Sequence, residues 1–261
     1  MPHVKIPPTS PAAPCRIIVR ASTDFLLRGL AEGIITFDNL RRAIFINAVV
    51  LANVAHLNRS ATQAWRYAGE ADIPPDCERR PINTHSLAVS LGVSAETARR
   101  HVNRLVAEGL CVKSPAGVIV PTAVLLSERI RRSDEVHWRS FLRMIGDLRK
   151  IGFDFKAMAS QAAFRPDLIV EPGWALTGNE ALPKRLVARI VLVFYLQAIV
   201  GASIPFRSDW LACAVFAAIM SANSEKITQD PRAAWQYAYA DTPPPDELRH
   251  GISISEAAHR L

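Results

Sequence analysis

Apolar residues recur at helical spacing over most of the chain, and strand-like alternation is confined to one short stretch. The runs Ala43–Leu57, Ile190–Ile204 and Leu211–Ala222 predict buried helices. The second of these reads IVLVFYLQAIVGASI, with Gln197 inside and Pro205 next. A membrane span needs about 20 apolar residues. This run is shorter, so a core helix is expected there and no membrane. Trp138, Phe141, Leu142, Ile145 and Leu148 fall on one face of a further helix whose other face carries Arg139, Arg143 and Arg149. Residues 165–184 contain Pro166, Pro172, Gly173, Gly178 and Pro183 and read as a linker. Residues 1–14 hold five prolines and no apolar stretch of signal length, which predicts a flexible tail.

The segment from Ile82 has the most specific pattern: INTHSLAVSLGVSAETARRHVNRLVAEGLCVKSPAGVIVP. Asn83 or Thr84 can cap a helix running to Leu91, with Leu87 and Leu91 on its buried face. Gly92 suits the left-handed residue that ends it. Ser94 caps a second helix, and Ala98, Val102, Leu105 and Val106 face the core at its spacing. Gly109 ends that helix. Cys111–Ser114, a Pro-x-Gly turn and Val118–Val120 then read as strand, turn, strand. Ile82 is expected to supply a third short strand. The segment resembles the winged helix-turn-helix of bacterial transcription regulators of the MarR and GntR type, from Ile82 to Pro121.

That resemblance implies that the helix 94–108 reads the major groove and that the wing 111–120 meets the backbone. The candidate DNA contacts are Thr84, Ser94, Glu96, Thr97, Arg99, Arg100, Asn103, Arg104 and Lys113. Thr97 and Arg100 are expected at base edges, where a forked arginine–guanine contact is worth about 1–3 kcal/mol. Glu96 could accept from a cytosine amine. Arg99 and Arg104 are expected at phosphates, Lys113 at the backbone or the minor groove, and Ser94 with its exposed amides can hold another phosphate. His101 stands where many relatives carry a small apolar residue. It is expected at a helix–helix seam as a neutral, satisfied side chain.

Charge supports that placement. The chain carries 31 basic and 24 acidic residues, a formal +7. Residues 78–150 hold 13 basic and 7 acidic, whereas 1–77 hold 8 and 6, and 151–261 hold 10 and 11. A local basic surface suits a polyanion, although a charged helix face alone is often just solvated. The apolar fraction of 49% excludes a largely disordered chain. Cys15, Cys77, Cys111 and Cys213 lie too far apart for a zinc ribbon or redox pair, and point to a reducing, cytoplasmic setting. No phosphate-binding glycine loop, nucleophile elbow or metal spacing of the seven histidines is present. Neither an enzyme nor a cofactor is expected.

The chain also matches itself. Around Trp65 it reads AWRYAGEADIPPDCERRPINTHSLAVSL, and around Trp235, AWQYAYADTPPPDELRHGISISEAAHRL. Trp65/Trp235, Tyr67/Tyr237, Asp76/Asp246, Arg79/Arg249, Ile82/Ile252, Ala88/Ala258 and Leu91/Leu261 all pair at one constant offset, as do Asn53/Asn223. The matched Trp and Tyr are read as core packing in each copy rather than as a ligand pocket. Ser253 and Glu256 have capping-box spacing, but no second recognition helix or wing follows Leu261.

The expected fold is mainly α: a helical core bearing a winged helix-turn-helix, with a second, truncated copy of the same unit. The expected division is 1–22 tail, 23–126 helical unit with the winged motif, 127–175 amphipathic helix and linker, and 176–261 second unit. The expected function is sequence-specific binding of double-stranded DNA by a transcription regulator, as a homodimer or an intramolecular pseudo-dimer. Alternatives are a plasmid- or phage-type replication initiator, an architectural DNA-binding protein, or an assembly module.

Overall fold

The computed structural model describes residues 14–154 and 183–260. The expected linker 165–184 and the position Leu261 therefore lie almost wholly outside the described residues. The protein is mainly helical, with one two-stranded antiparallel sheet. In chain order the elements are α1 (Cys15–Phe37), α2 (Leu40–Val54), α3 (Ala61–Arg66), α4 (Thr84–Leu91), α5 (Ala95–Ala107), β1 (Val112–Ser114), β2 (Gly117–Ile119), α6 (Thr122–Leu125), α7 (Glu128–Lys150), α8 (Lys184–Ser203), α9 (Trp210–Gln229), α10 (Pro231–Gln236) and α11 (Ile254–His259). The residues form two compact units, each built from separated stretches of chain. One, here the hairpin unit, comprises 32–138 and 183–213; the second comprises 14–31, 139–154 and 214–260. The expected division into consecutive stretches differs from this interleaved one.

In the hairpin unit, α2 is the central element. Asn39 caps it by accepting from the Arg41 and Arg42 amides, and Phe45, Ile46 and Val49 are fully buried. It packs against α4, α5, β2 and α8. Asn53, fully buried, joins it to the hairpin. Its Nδ2 donates to the Arg80 carbonyl at 2.8 Å and the Val118 carbonyl at 3.1 Å, and its Oδ1 accepts from the Val120 amide at 3.0 Å. Arg79, also buried, donates to the Pro74 and Val120 carbonyls and lies 3.5 Å from Asp76. Asp76 in turn accepts from both the amide and the hydroxyl of Thr122, and these bonds hold its carboxyl below the usual range.

Helix α8 supplies a clasp to the same unit. Arg189 donates to the Ala64 and Tyr67 carbonyls at the end of α3, and its Nε donates to Asn58 Oδ1 at 2.9 Å. One turn earlier, Arg185 donates to the Glu70 carbonyl, and its backbone amide donates to Ala68. The stretches Leu40–Arg59 and Lys184–Phe206 are each long and apolar enough to cross a membrane by length and composition. The second carries this arginine clasp near its start.

The second unit has a clasp of its own, from α1. Arg20 donates to the Ala234 and Tyr237 carbonyls, both at 3.0 Å. Arg16 donates to the Tyr239 and Ala240 carbonyls, and its backbone amide donates to Ala238. Ile17, Leu148, Ile151, Ala234 and Ala238 form the buried cluster, and the Trp235 indole donates to the Ile151 carbonyl. Residues 15–22, expected within the flexible tail, are thus helical: apolar Ile17 is buried and the flanking arginines are bonded. The expected amphipathic face of α7 also needs correction. Leu142 is half exposed while Met144 packs against the cluster, because the buried line runs through Met144, Leu148 and Ile151.

Candidate nucleic-acid interface

The local signals around residue 84 act as sequence reading anticipates. Asn83 caps α4 by accepting from the Ser86 amide at 2.7 Å. Gly92 ends α4 in the left-handed region, φ 64°, where a side chain would be strained. Ser94 caps α5, its hydroxyl accepting from the Thr97 amide at 3.1 Å. Leu87, Ala88 and Leu91 of α4 meet Ala98, Val102 and Leu105 of α5, all buried. Cys111 returns the chain to the core, and burial pushes its thiol up to about 12, which removes it as a nucleophile.

The hairpin pairs Val112 with Ile119 and Ser114 with Gly117, and Ile82 adds an antiparallel bridge to Val118. Gly117 is required by close approach. A Cβ there would stand 2.6 Å from the Ile82 carbonyl oxygen.

The outer face of α5 is solvent-exposed and polar. Glu96, Arg99, Arg100, Asn103 and Arg104 are exposed, and Thr97 is half-buried with its hydroxyl 2.8 Å from Ser94 Oγ. Thr84 is half-buried at the start of α4, and Lys113 is exposed on β1. The arginines differ in availability. Arg99 is held bidentately by Glu96 at 2.9 Å, and Arg104 pairs with Glu108, which also pairs with Arg42. Arg100 and Lys113 make no hydrogen bond or ion pair among the described residues. Exposed pairs of this kind are worth little and exchange readily with another anion.

His101 lies on the inner side of this helix, stacked on Phe45 with ring centroids 4.5 Å apart and planes at 19°. Its pKa is lowered, first by burial and then by Arg100, Arg41 and Arg104. That relation exposes one residue missed from sequence: Arg41, exposed at the start of α2, adds to the same positive field. Its signal was the Arg41-Arg42 pair at a predicted helix start, hidden by the near-neutral charge of residues 1–77. Among the described residues, no group of three His, Cys, Asp or Glu side chains is placed to hold a metal ion. No family model, curated protein or solved structure matches the chain.

Proposed function

We propose that the hairpin unit is a winged helix-turn-helix that binds double-stranded DNA and regulates transcription in the cytoplasm. The observation that carries this reading is the outer face of α5, where an unpaired Arg100 stands with Thr97 and Asn103 on a helix capped for groove entry. Lys113 on the hairpin and Arg41 on α2 extend the positive field. Base contacts come from Thr97 and Arg100, and backbone contacts from Ser94, Arg99, Arg104 and Lys113.

The two-copy reading is part of the proposal. It is supported by coincident elements. The offset that relates Trp65 to Trp235 also relates α3 to α10, the single turn Asp76–Glu78 to Asp246–Leu248, and the start of α4 to that of α11. The clasps correspond too, since Arg16 and Arg20 treat α10 as Arg185 and Arg189 treat α3. Each clasping helix lies in the chain just before one copy and clasps the other. Two such copies would act as a pseudo-dimer, or pair again as a homodimer.

The deciding experiment selects bound duplexes from a random DNA pool and titrates the winners with salt. An enriched motif is expected, with half-sites about 10 bp apart if the hairpin units of a homodimer both engage. Replacing Lys113 with Ala should flatten the log–log salt slope by about one. Steep salt dependence without enrichment would favour an architectural protein, and no binding at low salt would end the DNA reading.

A further inference from the structure

The second unit contains a cavity of about 320 Å³ between α1, α7, α9 and α10. Small-molecule sites begin near 300 Å³, and an apolar cavity of about 150 Å³ already admits benzene. One wall is apolar, formed by Ile17, Met144 and Leu148. Another carries the small polar side chains of Ser221, Ser224 and Thr228.

The charges on its wall do not balance. Three carboxylates line it, and each is matched: Asp24 by Arg28, Asp147 by Lys150 at 3.1 Å, and Glu225 by Arg260 at 2.6 Å. Arg20 lines the cavity with no carboxylate partner among the described residues, and its Nε is buried without an acceptor. Burial and the neighbouring Arg16 lower its pKa, as expected of a cation lacking a counter-charge. Arg42, His56 and Trp210 also have a buried polar atom without a partner, but none lines either of the cavities described here.

The hairpin unit shows what is missing. Its Arg189 makes the same two carbonyl contacts, but its Nε is satisfied by Asn58. At the offset of the two copies, the counterpart of Asn58 is Thr228, whose hydroxyl instead donates to the Ser224 carbonyl. Leu51 and Val54 likewise correspond to Ser221 and Ser224, so larger apolar groups are replaced by small polar ones where the cavity opens. The cavity beside Arg189 is only about 100 Å³. This comparison rests on the two-copy reading; the cavity and the unmatched arginine do not.

We propose that this cavity binds a small monocarboxylate with an apolar body. The carboxylate provides the acceptor and counter-charge for Arg20, the Ser221 hydroxyl donates to one of its remaining lone pairs, and the body lies against Ile17, Met144 and Leu148. The experiment uses the full-length chain with benzoate, benzyl alcohol and benzylamine as probes, read by calorimetric titration. Benzoate should bind saturably, at least tenfold more tightly than the other two. The variant Ser221→Leu fills the cavity without touching the clasp and should weaken benzoate at least tenfold. Thr228→Asn supplies the acceptor from within and should do the same while raising the Tm. Absence of saturable benzoate binding, equal binding of the three probes, or unchanged binding in Ser221→Leu would overturn the proposal. Loss in Ser221→Leu but not in Thr228→Asn would uphold the site and remove the equivalence of Asn58 and Thr228, and with it a support of the two-copy reading.

Discussion

The hairpin unit and the second unit solve the same local problem with different completeness. Each must hold a short helix ending in Trp-x-Tyr, and each does so with two arginines one turn apart that donate to free carbonyls at the helix end. In the hairpin unit every edge of Arg189 is used. In the second unit Arg20 keeps one edge idle beside a cavity. The same holds for the asparagines: Asn53 fastens α2 with three hydrogen bonds, two to Val118 and Val120 at β2 and one to Arg80, whereas Asn223 is half-buried. The arginine clasp is thus closed in the unit that carries the hairpin and left open beside the cavity of the second unit.

The largest expected effect tests the clasps. Replacing Arg189 with Leu strands two carbonyls and the Asn58 amide oxygen, and should cost about 3 kcal/mol or more in urea denaturation. Replacing Arg20 with Leu should cost about 1 kcal/mol less, one hydrogen bond's net worth. Equal losses would break the contrast.

Next come the asparagines. Asn53→Ala leaves the Arg80 carbonyl and the Val120 amide unpaired in the core, while the Val118 carbonyl keeps the Ile82 amide, for a loss of about 2–3 kcal/mol; Asn223→Ala should stay below about 1 kcal/mol. Hydrogen exchange at Val118 and Val120 should rise in the first variant alone.

On DNA, Arg100→Ala should lose about 1–3 kcal/mol of discrimination at one base position. Arg99→Ala should weaken all duplexes alike and by less, because Glu96 already neutralises Arg99. Binding curves on matched and mismatched duplexes separate the two, and uniform weakening in Arg100→Ala would make it a phosphate contact.

The smallest effect concerns pH. His101 has a folded pKa below its ordinary 6.5, so the unfolded chain takes up the proton first. Its contribution to stability is complete above pH 6.5 and is lost as pH falls through the lowered folded value. His101→Phe should keep the stacking on Phe45 and flatten that part of the stability profile. A profile unchanged by the substitution would assign the slope to another group.

The segment from Ile82 to Ile119 was readable because its signals are local. Asn83, Gly92 and Ser94 act within one turn of themselves, and the apolar positions of α4 and α5 repeat at one period. Ile82 at the sheet was legible for the same reason, as an apolar residue one step before a cap. The clasps were not. Arg16 and Arg20 bond carbonyls near the far end of the sequence, and nothing in a window around them distinguishes a clasp from a solvated pair. That is why residues 15–22 read as tail. Leu142 was misplaced because α7 offers two overlapping apolar lines, and only its neighbours decide between them. The cavity was invisible because it depends on side chains that are smaller than their counterparts, a difference that shows only once the two units are compared in space.

The clasp of the second unit has a cost in time. Arg20 meets partners 214 and 217 residues later in the chain. At about 5–20 residues per second on the ribosome, α1 waits roughly 10–45 s for α10 to be made. The hairpin unit's clasp spans 122 and 125 residues and can close far earlier. Helix α1 is thus locked long after it is made, and until then Ile17 and its neighbours are open to whatever else binds a nascent apolar helix.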